Sequence, residues 1–149
     1  VLVNANHGTR EQLTIAGVPV GQELRGYPAE RARSASSIVM VAATDAPLSA
    51  RQLERLALRM AMGLARTGAT ANTSSGDLML AFSTAKFGTV PLADERLTPL
   101  YQAVVDATEE SVLNSLALGT DVVGADGTPC PGLPLDRVVA MLKSRGAIR

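Results

Sequence analysis

Aromatic rings, cysteine and histidine are scarce in this chain of 149 residues: it has no Trp, two Tyr, two Phe, one Cys and one His. So few rings leave little on which nucleic-acid bases could stack. The 14 basic residues are balanced by 14 acidic ones, so no long-range field draws phosphates, and nucleic-acid binding is excluded as a general role. A lone Cys130 rules out an internal disulfide and a multi-cysteine zinc site. A lone His7 rules out paired-His metal sites and leaves one candidate base for a Ser-His-Asp triad. No apolar run approaches the ~20 residues of a membrane span. The N-terminus also lacks the basic-then-apolar order of a signal peptide, so the expected location is cytoplasmic, with no membrane contact. What is present is 46% hydrophobic and 19% charged, enough for the packed core of one domain. The expectation is an α/β domain whose chemistry rests on Ser, Thr, Asn and carboxylates.

The chain opens on Val1-Leu2-Val3, a strand-like start without Met, as expected of a truncated or processed segment. Arg10 to Gly21 reads as a hairpin turning at Ala16-Gly17, with Leu13, Ile15, Val18 and Val20 alternating. From Gln22 to Ser36 the composition turns to Arg, Glu, Gly, Pro, Ala and Ser without a period, the signature of a linker. Ile38 to Ala43 is an unbroken apolar run whose length and β-branching predict a strand buried on both faces, closed by Thr44-Asp45-Ala46-Pro47. Ser49 with Gln52 fits a capping box. Leu53, Leu56, Ala57, Met60, Ala61 and Leu64 follow at helical spacing, with Arg51, Glu54, Arg55 and Arg59 outward and Gly68 as the stop. Asp77 to Thr84 predicts a second buried strand after the turn-forming Thr73-Ser74-Ser75-Gly76. A second long helix is predicted from Thr98 as N-cap, with Pro99 first, to Gly119. Asp121 to Pro134 reads as a loop, and a last helix spans 135–145 with Val138, Val139 and Leu142 inward. Helices alternating with buried strands imply sheet layers covered by helices. No strand leads into a glycine-rich phosphate loop, so a nucleotide site is not expected.

Ser36-Ser37 introduces a buried strand after a solvated linker, which raises the question of a serine nucleophile. Serine is a weak nucleophile without a base. His7 is one candidate base, although a lone His before glycine reads first as a turn residue. A second base arises if the peptide bond before Ser37 is broken: an α-amine of pKa ~7.7–8.0 would then sit on the nucleophile itself. Taken alone, a Ser before an apolar strand is simply a strand start, and Ser75-Gly76-Asp77 a plain turn.

The segments SSIVMVAATDAPLSARQLERLALRMAMGLARTGA and SSGDLMLAFSTA resemble the β-subunit of the DmpA-type aminopeptidases (peptidase family P1), which are N-terminal-nucleophile hydrolases. VLVNANHG and REQLTIAGVPVG are similar to the end of that family's α-subunit, and ATEESVLNSLALGTDVVGADG with LPLDRVVAML to its closing helices. The resemblance thus covers nearly the whole chain. It implies a four-layer αββα sandwich, as in DmpA and the ornithine acetyltransferases, contained only in part here. Residues 1–36 would be the end of the α-subunit with its linker, and residues 37–149 the β-subunit, within one domain fragment.

By the same resemblance Ser37, rather than Ser34 or Ser36, matches the nucleophile freed by self-cleavage. Ser75 and Asp77 match the pair that holds its amine, and Asn6 matches the oxyanion asparagine. Asn6 holding a tight turn before Gly8 competes with that role, and Asn4 is an alternative on the same face. Glu109-Glu110 reads as a solvated helix face, Asn114 as structural, and Cys130 as an unreactive loop residue. The implied reaction is release of N-terminal amino acids from peptides, amides or esters, without metal or organic cofactor. The implied partners are the rest of the α-subunit and further copies in a homo-oligomer. Two departures stand out. Ser36 occupies the place where most relatives have glycine, and Lys86 follows FSTA where Asn is common. The rival readings are an ornithine acetyltransferase-like acyl transferase, which would use Thr as nucleophile, and a non-catalytic or uncleaved fragment.

Overall fold

The computed structural model describes residues 1–26 and 36–149. Most of the expected linker, including Ser34, lies outside the described residues. Three strands form the main sheet in the order β1 (Leu2–Asn6), β2 (Ser37–Thr44), β3 (Leu78–Ser83). β1 runs antiparallel to β2, and β2 runs parallel to β3. A parallel pair needs a crossover, which α2 (Ala50–Arg66) supplies.

The start of α2 follows its sequence signal. The Ser49 hydroxyl accepts from the Gln52 amide at 3.3 Å, and the Gln52 side-chain oxygen accepts from the Ser49 amide at 3.0 Å. The Gln52 Nε2 donates to the Leu92 carbonyl and to Asp94, each at 2.8 Å, so this capping residue can be fully buried with its bonds made. At the other end Gly68 takes φ +92°, the left-handed cap that a Cβ would disfavour.

β2 is buried on one face only. Ile38, Met40 and Ala42 pack on Leu56, Ala57, Met60 and Leu64 of α2 and on Val104 and Val112 of α3 (Thr98–Ala117). Its opposite face, with the neighbouring strands, leaves Leu2, Leu78 and Leu80 at 73%, 65% and 59% exposure. The unbroken apolar run therefore reports a strand whose second face has no cover among the described residues. α2 and α3 meet at Gly63, where a Cβ would collide with the Val105 carbonyl. Thr108 is buried in the same contact, its hydroxyl donating to the Val104 carbonyl at 2.6 Å. Arg55 and Arg59, expected to face water, lie over the Tyr101 ring at 5.6 and 4.1 Å from its centre.

A second cluster joins Val18, Val20 and Leu24 to Val138 and Leu142 of α4 (Leu135–Ser144). The expected hairpin shrinks to the single bridge Ile15↔Val18 around Ala16 and Gly17, both at positive φ. Its flanks become a 3₁₀ turn (Arg10–Gln12) and the short helix α1 (Val20–Glu23). Val139 is exposed rather than inward. α3 is capped by Leu97 and not by Thr98, which is already helical. Within 121–134, β4 (Val122–Val123) and β5 (Pro129–Cys130) form a small antiparallel ladder where a loop was expected. No helix among the described residues is long and apolar enough to cross a membrane.

Candidate active site

Ser37 is the first residue of β2, and the strand register determines what surrounds it. Across β1 its partner is Asn6, the last rung of that ladder. Paired residues point to the same side of a sheet, so both side chains belong to the open face. Asn4 pairs with Val39, a full pleat away from Ser37. On the other side the offset of the β2–β3 ladder brings Gly76 alongside Ser37, and an isolated parallel bridge joins Ser36 to Ser75.

The bond before Ser37 sits in a compact set of hydrogen bonds. The Ser37 hydroxyl donates to the Ser36 carbonyl oxygen at 2.7 Å. The Gly76 amide lies 3.2 Å from that same carbonyl oxygen and 3.2 Å from Ser37 Oγ, so one N–H faces both. A Cβ at Gly76 would lie 3.3 Å from Ser37 Oγ, tighter than ordinary contact. Beside this set the Ser75 hydroxyl donates to Asp77 Oδ1 at 2.6 Å. Alternation puts Asp77 on the side of Met79, which packs toward the helices, opposite to the Ser37 hydroxyl. The Ser37 backbone nitrogen lies in the sheet between the two faces.

All four residues singled out in the sequence, Asn6, Ser37, Ser75 and Asp77, thus gather at one end of the sheet. The Gly76 amide is a member that residue types could not reveal, because a backbone N–H has no letter in the sequence. Ser36 is not among the residues at positive φ, so this position accepts a side chain without backbone strain. His7 follows Asn6 and is half-buried. Burial pushes its imidazole below the ordinary value of 6.5, and the Asp77 carboxylate opposes that in part. His7 also lines a cavity of about 460 Å³ between β1 and the Val112, Ser115 and Leu116 stretch of α3. The TDAPL and AFSTA segments lie at the far end of the strands. There they lock the loops together: Ser83 Oγ donates to the Ala46 carbonyl at 2.6 Å and accepts from the Ala85 amide at 3.0 Å. Glu109 pairs with Arg66 at 3.1 Å on the helix surface, and Cys130 is exposed.

A serine opening the central strand, an amide side chain opposite it in register and a serine–carboxylate pair at the same end of the sheet make up the candidate site. Solved structures give the class of fold. The L-aminopeptidase D-Ala-esterase/amidase of Ochrobactrum anthropi, described as a prototype for the serine aminopeptidases and a variant of the Ntn hydrolase fold, superposes with a TM-score of 0.87 at 36% identity. That match covers 99% of this chain and 43% of the other. The PH0078 protein of Pyrococcus horikoshii OT3 matches with a TM-score of 0.84 at 39% identity over 97% of this chain and 42% of its own. The beta-peptidyl aminopeptidase BapA of Sphingosinicella xenopeptidilytica is 38% identical, over 97% of this chain and 42% of its length. The model of Peptidase family S58 matches residues 1–130, and the chain belongs to that family. It spans about two-fifths of the length of these relatives.

Proposed function

We propose that the protein of which this chain is part is a self-processing serine aminopeptidase, cut between Ser36 and Ser37. The observation that carries the proposal is the Ser37 hydroxyl lying 2.7 Å from the Ser36 carbonyl oxygen, with the Gly76 amide directed at that same oxygen. In the first reaction Ser37 Oγ attacks the Ser36 carbonyl carbon, and the hydroxyl proton moves to the departing Ser37 nitrogen. The C–N bond breaks and Ser36 becomes an ester on Ser37. Water hydrolyses this ester, leaving a Ser36 carboxylate and a Ser37 that carries both a free hydroxyl and a free amine.

That amine then serves as the general base. It takes the Oγ proton while Oγ attacks the carbonyl of a substrate's first residue. The Asn6 amide, on the same face, donates to the developing oxyanion. Collapse expels the amine product with the proton, and water, activated by the same amine, releases the acyl group. Ser75 and Asp77 hold the amine from the side of the sheet opposite to the substrate and favour its protonated form. Substrates would be peptides, amides or esters with a free N-terminal amino acid. The relatives' names, one β-peptidyl and one an L-aminopeptidase with D-esterase action, make α- and β-amino-acid amides the panel to try. The remaining α-subunit and further copies of the protein are the proposed partners.

Intact-mass analysis of the full-length protein tests this directly. Two fragments dividing between Ser36 and Ser37, absent in Ser37→Ala, together with activity on amino-acid p-nitroanilides, are expected. A single uncut chain that still hydrolyses these substrates would overturn the reading. Amine acceptors that outcompete water would instead make the enzyme an acyl transferase.

A further inference from the structure

The residues at the end of the sheet fall into two rows. Asn6, Ser37 and Gly76 form one, with the Asn6 and Ser37 side chains toward the open face. The register continued by one residue sets His7 against Ser36, and Ser36 bridges to Ser75. This second row alternates to the helix-covered face. Its members are unusually polar for a covered layer, and two of their atoms, His7 Nδ1 and Ser36 Oγ, are buried without a hydrogen-bond partner among the described residues. Cutting the Ser36–Ser37 bond separates Ser36 from the start of β2. Among the described residues, His7 then remains in that row with Ser75, and Asp77 acts on it electrostatically.

We propose that His7 is a positioning residue for the Ser37 site, one that leaves Asp77 to Ser75 and the amine while neutral and draws Asp77 away when protonated. The proposal rests on the reading of Ser37 given above. Among the described residues, each element around the imidazole can be named. From β3 the charged group acting on it is Asp77. From β2 its neighbour is Ser36, and across the cavity α3 contributes Val112, Ser115 and Leu116, none of them titratable near neutrality. With burial disfavouring its charge, His7 is neutral at pH 7 and above and titrates on the acid side of its ordinary value of 6.5.

The test is the acid limb of log(kcat/KM) against pH, measured on the full-length, mature protein. Protonation of the Ser37 amine, with a pKa of ~7.7–8.0, by itself gives a limb of slope one. If His7 acts as proposed, a second proton also inactivates, and the wild-type slope steepens towards two on the acid side of the ordinary imidazole value of 6.5. In His7→Gln, and in His7→Asn as a second neutral replacement, the slope stays at one to the lowest pH at which circular dichroism reports a folded protein. A wild-type limb of slope one throughout overturns the proposal whether or not either variant folds, as does a slope of two that persists in a folded variant. Either result leaves the Ser37 reading standing when the wild type is cut and active. An active Ser37→Ala protein would remove both.

Discussion

Asn6 and Ser37 are register partners at the last rung of the β1–β2 ladder, one on each strand and both toward the open face. Neither residue depends on a loop for its placement. The hydrogen-bond ladder that builds the sheet fixes the proposed oxyanion donor relative to the proposed nucleophile, which is the form of preorganisation that makes such donors effective.

Removing this donor should therefore affect the rate and not the fold. Asn6→Ala is expected to lower kcat by roughly 10²–10³-fold with little change in KM. Because Asn6 is exposed, the melting temperature should hardly move. Steady-state kinetics beside a thermal melt would check both halves of the expectation.

Asp77 is expected to act on the amine's ionisation. A nearby carboxylate favours the ammonium form, so Asp77→Asn lowers the amine pKa. The acid limb of the rate profile should move down by about one pH unit, while kcat on the plateau should fall by well over ~10-fold as the amine loses its hold, a loss that outweighs the larger fraction of neutral amine. Ser75→Ala, which removes the 2.6 Å bond to Asp77, should shift the limb in the same direction by less.

On the proposed cleavage, Gly76 has two jobs with opposite sensitivities: its amide would serve the Ser36 carbonyl, while its missing side chain leaves room for Ser37 Oγ. Gly76→Ala keeps the N–H but puts a Cβ 3.3 Å from that oxygen. Self-cleavage should slow, and Gly76→Val should stop it while leaving the chain folded, since position 76 is exposed. A time course of fragment appearance on a denaturing gel reads the difference.

Gly63 tests the scaffold. A side chain there must push α2 off the Val105 carbonyl of α3, so Gly63→Ala should cost about 1–3 kcal/mol in a denaturant melt. The same substitution at Gly17, where nothing lies within 4 Å but φ is +78°, should cost only the strain of its backbone, about 1 kcal/mol.

Asp94 gives a pH signature in stability. Hydrogen bonds from Arg51 and Gln52 hold its carboxyl below the usual carboxylate value. A depressed folded-state value means that this contribution is complete above the unfolded pKa of ~3.9 and is lost as pH falls through the lower folded value. Acid unfolding monitored below pH 4 should accordingly be shallower in Asp94→Asn than in the wild type.

What could be read from the sequence divides along physical lines. α2 was legible because Ser49, Gln52 and Gly68 act through neighbours a few residues away, and its apolar stripe repeats at the helical period. β2 and β3 were legible as strands, but not the bareness of one face: Val39, Leu78 and Leu80 are as apolar as Ile38 and Met40, and composition does not say which face is covered. The hairpin at Ala16-Gly17 was correctly centred and overextended, because alternation in Leu13, Ile15, Val18 and Val20 is satisfied equally by packing on α4. The residues proposed for the site, Ser37, Ser75, Asp77 and Asn6, are those that the family resemblance points to. Their meeting, the approach of the Gly76 amide and the position of His7 opposite Ser36 depend on register, which no local pattern encodes.

Ser37 and Gly76 are 39 positions apart in the chain, and the whole of α2 lies between them. An unfolded precursor cannot offer the scissile carbonyl its amide donor until that helix has docked and β3 has slotted in beside β2. On the proposed chemistry, scission becomes a folding checkpoint: a nascent chain with a misplaced crossover stays in one piece and inert, and the protease is armed only after its own scaffold has passed inspection.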